Sequence, residues 1–151
     1  MSTSFDAVID LANIKVNDYK LVKLYEQNPE GFKKWCDGLL ISAIPNFLHC
    51  KNNLAYDAER REFVSELTNE EISILVDLWC IEWFTRETHN SAKINAKLQT
   101  SGGFKNHSES QNLKEKSMYL DGMREKVRQK MIDYQLNNIT DINIWGDIYE
   151  F

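Results

Sequence analysis

Eight apolar residues, Phe32, Trp35, Cys36, Leu39, Leu40, Ala43, Ile44 and Phe47, keep the i, i+3, i+4 spacing without a break. At about 3.6 residues per turn they fall on one side of a helix, so this segment must lay one face on a core. Its start is marked by Asn28-Pro29-Glu30, a cap residue followed by proline at the first helical position. Pro45, inside the stripe, lacks an N–H and predicts a kinked or tightened last turn. Thr68-Asn-Glu-Glu71 is a capping box, in which hydroxyl and carboxylate satisfy each other's backbone N–H groups. It opens a helix to about Leu98, roughly 45 Å long at about 1.5 Å per residue. Ile72, Leu75, Val76, Trp79 and Trp83 make its core face, and from Leu78 to Phe84 apolar groups cover most of the circumference. That section is expected to be packed on several sides. A third long helix runs from about Ser108 to Leu136. Leu113, Leu120, Val127 and Tyr134 repeat in it every seven residues, with Met123 and Met131 beside them. This is a narrow seam on a charged rod.

The remaining segments are shorter. Ser4 to Ile14 reads as a helix with Ala7, Val8, Leu11 and Ala12 at helical spacing. Asn17 is placed to cap a second helix from Asp18 to about Glu26, burying Leu21, Leu24 and Tyr25. Between Asn52 and Leu67 the period changes: Leu54 and Tyr56 alternate on one arm, Phe63 and Ser65 on the other. A β-hairpin at about 53–66 that pairs Tyr56 with Phe63 is predicted. Its turn lacks Asn-Gly or Asp-Gly, and a lone hairpin needs a surface to lie on. The fold class is mainly α, with three long helices, one short hairpin and an extended C-terminal tail. Residues 1–136 form one helical domain and 137–151 the tail.

Composition narrows the function. Only two prolines and six glycines lean the chain towards helices, and a net charge of −5 disfavours a general nucleic-acid binder. No apolar run approaches a transmembrane span, and the N-terminus lacks signal-peptide regions, so a cytoplasmic product is expected. Cys36, Cys50 and Cys80 are odd in number with no CxxC, and read as reduced core residues.

Each candidate for chemistry has a plainer explanation. His49 adjoins Cys50, but neighbours at a helix end seldom converge on one metal. Glu82, between Ile81 and Trp83, invites acid–base work, yet it lies about two turns from any histidine on its helix and reads as a flank position. His89 and His107 lack the context of a triad. Gly102-Gly103 lacks the ending of a phosphate loop. No catalytic residue, metal ligand or cofactor is expected. Gly102, Gly103, Phe104 and Lys105 read instead as a projecting loop for contact with another subunit or a tail protein. Lys114, Lys116, Arg124, Lys126, Arg128 and Lys130 make the last helix locally basic, but Asp121, Glu125 and Asp133 interleave, so a solvated salt-bridge surface is the default. Arg124, Arg128 and Lys130 are weak candidates for contact with DNA in a channel or with a second subunit.

The last ten residues carry Ile142, Ile144, Trp145, Ile148, Tyr149 and Phe151 with no helical stripe. Terminal segments ordinarily fray and carry small or polar residues, because ordering them costs entropy. An end this apolar must be covered by a groove on its own domain or by another chain. Ile142 and Ile144 alternate with polar neighbours, as in a strand that adds to a sheet edge.

The central block resembles a known family. Gly38 to Phe47, Leu54 to Asp57, Phe63 to Ile72, Leu75 to Trp83 and Ser110 to Leu113 are similar to the small neck proteins of long-tailed bacteriophages, the head–tail connectors or adaptors. The similarity covers roughly residues 17 to 136, as a run of apolar and polar matches without a catalytic signature. The first helix and the tail lie outside it. The resemblance implies a helical adaptor with a short β element, assembled as a ring, usually dodecameric, beneath the portal vertex. Such rings extend the DNA channel and offer a surface to a stopper or tail-completion protein, and their C-terminal segments tend to reach up to the portal. DNA would pass through without sequence-specific binding. The expectation is a non-enzymatic virion protein of the phage neck, assembled in the host cytoplasm, with no membrane partner. Its portal-binding residues would be the apolar ones of the tail, a role that rests on composition alone. The alternatives are another neck component, such as a stopper or tail-completion protein, and a DNA-handling helical regulator or small packaging subunit. Net charge and the absence of helix-turn-helix spacing count against the last. An enzyme is the weakest reading.

Overall fold

The stripe from Phe32 to Phe47 forms a helix whose start and end follow from local chemistry. The computed structural model describes residues 1–17, 19–99 and 106–138. In chain order the elements are Thr3–Ser4 (β1), Phe5–Val16 (α1), Tyr19–Gln27 (α2), Pro29–Ala43 (α3), Tyr56–Asp57 (β2), Glu62–Phe63 (β3), Asn69–Gln99 (α4) and Asn106–Asn138 (α5). The fold is mainly α, with one small antiparallel sheet. At the start of α3 the Asn28 side chain accepts from the Gly31 N–H at 3.0 Å. A Cβ on Gly31 would meet that side chain at 2.5 Å, so the cap needs glycine there. At the other end the chain tightens into a 3-10 turn, Ile44–Asn46, with Pro45 inside it. Cys36, Leu39, Leu40, Ala43 and Phe47 are buried, while Phe32, Trp35 and Ile44 pack at the edge of the core.

The expected hairpin register is present: Tyr56 lies opposite Phe63, and Asp57 opposite Glu62. The surface it needs comes from the N-terminus. Thr3 and Ser4 add a third strand on the far side of β3, giving the order β1-β3-β2. The Phe5 ring, fully buried, meets Phe63 at 5.2 Å and Tyr56 at 5.9 Å. The turn replaces Asn-Gly with two devices. Asp57 Oδ1 accepts from the N–H groups of Glu59 and Arg60, and Arg61 takes a left-handed conformation at φ 56°.

Arg61 then acts as a clasp. Its guanidinium donates to Asp37 on α3 at 2.7 and 2.9 Å, and to Asp6 on α1 at 2.8 and 3.3 Å. Its carbonyl accepts from the Phe5 N–H at 2.8 Å. Arg61→Ala keeps the backbone strain and leaves Asp37 largely buried without its partner. We expect it to lower the unfolding free energy by about 2–3 kcal/mol. Arg61→Lys should restore less than half, because lysine lacks the planar fork. Urea unfolding checks this, and a loss below about 0.5 kcal/mol for the alanine variant would contradict it.

Asn17 closes α1 as a left-handed C-cap (φ 41°), its N–H donating to the Asn13 carbonyl. One expectation needs correction. Leu21 is buried, but Leu24 and Tyr25 are 36% and 55% exposed. The short α2 leans mainly on α3, which covers a single narrow stripe. Tyr25 instead sets its ring edge-on to Phe32 at 5.6 Å.

The two longest helices run antiparallel. Tyr134 of α5 meets Glu71 near the start of α4, Lys130 meets Asp77, and Tyr119 stacks edge-on to Phe84. Leu120, Val127 and Tyr134 are buried in the seam, flanked by Met123 and Met131. The middle of α4 is enclosed by α1, α3 and α5. Trp79, wholly buried, donates its indole N–H to the Cys36 carbonyl at 3.0 Å. Cys36 and Cys80 are buried free thiols.

Candidate functional site

The residues singled out from the sequence fall into three groups. Ile142, Ile144, Trp145, Ile148, Tyr149 and Phe151, and the loop of Gly102, Gly103, Phe104 and Lys105, lie outside the described residues. Of the hairpin pair, Phe63 is core and Tyr56 is 40% exposed. Three of the basic positions of α5 have acids beside them. Arg124 reaches Asp121 at 3.4 Å and Arg128 reaches Glu125 at 4.0 Å, both on the exposed face. Lys130 turns inward to Ser73 and to Asp77, 2.7 Å away, and Lys15 of α1 reaches the same aspartate. The bond to Asp77 raises the Lys15 pKa, against burial. Asp77 thus ties α1, α4 and α5 together.

His49 and Cys50 point apart. His49 is exposed at φ 58°, whereas the Cys50 thiol turns in to Glu71 at 3.2 Å. Glu82 accepts from Asn46 at 3.1 Å on the flank of α4. Among the described residues no three His, Cys, Asp or Glu side chains converge as a metal site.

One polar cluster was hidden from the sequence. Glu71, the capping-box carboxylate, is only 1% exposed. Its Oε1 accepts from the Thr68 N–H at 2.8 Å and the Asn52 amide at 2.6 Å. Its Oε2 accepts from the Tyr134 hydroxyl at 2.8 Å and from Cys50. The Tyr134 oxygen in turn accepts from the Lys51 N–H at 2.9 Å. Burial pushes the Glu71 carboxyl up, but these donors outweigh it and hold the pKa near 2. Burial, then Glu71 itself, pushes the Cys50 thiol up to about 12, and burial raises Tyr134 as well. A carboxylate that stays ionised beside a thiol that stays protonated has no proton to exchange near neutrality. The cluster clamps the 50–52 loop, α4 and α5 together. The sequence carried one hint: a tyrosine ending an apolar seam needs a partner for its hydroxyl.

Three concavities stand out among the described residues. A groove of about 540 Å³ runs between α1 and α4, lined by Ala7, Leu11, Ile72 and Val76, with Lys15 and Asp77 at one end. A second, about 590 Å³, lies between α4 and α5 over Trp83, Phe84 and Tyr119. A third, about 390 Å³ and more polar, lies beside Arg61 and Asn13, whose buried Oδ1 accepts no hydrogen bond. On the outer side of α5, Met118 and Leu136 are 65% and 60% exposed. Compared with known proteins, the chain matches no family model, no curated protein and no solved structure.

Proposed function

We propose that this chain is a structural head–tail connector of a tailed phage, assembling as a ring on the portal and offering its other face to the next neck protein. The observation that carries it is the pairing of a firmly clamped helical body with an apolar segment beyond α5. Ile139 to Phe151 holds seven large apolar residues and no lysine or arginine, a composition suited to docking on a partner. The segments that resemble connectors map onto the body: α3 and its 3-10 turn, the hairpin, the capping box and centre of α4, and the start of α5. A DNA-handling role gains little, since Arg124, Arg128 and Lys130 each sit beside an acid of the same chain.

A segment that docks on a partner makes assembly depend on that partner. The purified protein is therefore expected as a monomer or small oligomer that forms rings only on its template. Sedimentation velocity tests this. A stable large ring at micromolar concentration, unchanged when residues 138–151 are deleted, would contradict it.

A further inference from the structure

We propose that the groove between α4 and α5 is a binding site for a small organic ammonium ion. Three aromatic rings line it: Trp83, Phe84 and Tyr119. Trp83 and Phe84 meet at 4.7 Å with their planes at 81°, and Phe84 meets Tyr119 at 5.5 Å and 70°. Rings set close to perpendicular form a corner, in which one cation can lie within about 6 Å of more than one ring centroid. Trp83 is nearly buried, while Tyr119 is 61% exposed and stands open to a ligand.

The rim decides which ligand fits. Glu87 and Glu115 line the groove against one cation, Lys116. An anion would be repelled by the two carboxylates, and a neutral guest would gain nothing from them. A cation gains from the acids and from the rings. Rings, and not a set of convergent acceptors, form the wall, so a methylated ammonium, which donates few or no hydrogen bonds, suits it better than a bare amine. The opening has a cause in the sequence. Lys116 stands seven residues before Met123, a place in the α5 seam where an apolar side chain would have packed against α4. At about 590 Å³ the groove is within the range of small-molecule sites, about 300–1,000 Å³. The site does not depend on the C-terminal segment or on a portal.

Titration of the full chain with choline, followed by heteronuclear NMR, tests the site. Choline is expected to shift the Trp83 indole signal and the Tyr119 amide. Its neutral tert-butyl isostere, in which carbon replaces the charged nitrogen, should bind at least about fivefold more weakly. Tyr119→Ala should weaken choline binding about three- to fivefold, and Tyr119→Phe, which keeps the ring, by less than about twofold. Glu115→Gln changes an exposed side chain, leaves the rings in place and should weaken binding about twofold. If the alanine variant fails to fold, the isostere and Glu115→Gln still decide. Equal binding of the isostere would overturn the site, because the groove would then be apolar without a preference for charge. No shift at about 50 mM choline would overturn it as well. So would a folded Tyr119→Ala variant that binds choline as tightly as the natural chain.

Discussion

Glu71→Ala is expected to lower the unfolding free energy by about 3–4 kcal/mol. The substitution removes one carboxylate and strands four donors at once: the Thr68 N–H, the Asn52 amide, the Tyr134 hydroxyl and the Cys50 thiol. Water cannot readily replace it, because Glu71 and Tyr134 are 1% and 3% exposed. Tyr134→Phe removes one donor and keeps the seam filled, so about 1–2 kcal/mol is expected from it. The same site sets the acid limit of the fold. With a folded pKa of about 2 against an ordinary 4.5, Glu71 contributes stability that is fully present above pH 4.5 and is lost as pH falls towards 2. That contribution is on the order of 3 kcal/mol. Urea unfolding between pH 7 and pH 3 should therefore show a steeper acid loss for the natural chain than for Glu71→Gln. Parallel acid profiles, or an alanine variant within about 1 kcal/mol of the natural chain, would mean that the cluster is not a clamp.

Trp145→Ala is expected to weaken attachment to the portal by about 2 kcal/mol or more for each docked tail, roughly thirtyfold in affinity. Repeated round a ring, that loss compounds until attachment fails. Large aromatic and branched groups supply most of the energy of such contacts, which makes Ile148 and Tyr149 the next anchors. Main-chain pairing at Ile142 and Ile144 would add strand-like support. The isolated fold should change little, by at most about 1 kcal/mol, because the core faces of the long helices do not include these residues. Melting temperature and portal binding measured on the same variant separate the possibilities. A clear drop in stability with binding retained would make the tail a lid on its own core and remove its docking role.

What was legible in this chain was local. Asn28-Pro29 and Thr68 to Glu71 announce helix starts because caps act through neighbours three residues apart. The Tyr56–Phe63 register followed from alternation alone. Thr3–Ser4 escaped notice because two residues carry no period, and their strand exists only where β3 offers an edge. Arg61 escaped because a left-handed arginine has no sequence signature. It is held by Asp6 and Asp37, fifty-five and twenty-four residues away. Glu71 was visible as a cap but not as a hub, since its main partner lies sixty-three residues on. Tyr25 misled because helical spacing marks a face without saying whether anything covers it. The C-terminal segment and the glycine loop lie outside the described residues, so the roles proposed for them rest on composition.

The most direct measurement is negative-stain electron microscopy of the purified chain mixed with the portal protein encoded in the same genome, for the full chain and for one ending at Asn138. A connector that grips its portal through the C-terminal segment predicts a ring capping the portal with the full chain and bare portals with the shortened one. Full-length protein that leaves portals bare, or a shortened chain that caps them equally well, would contradict it.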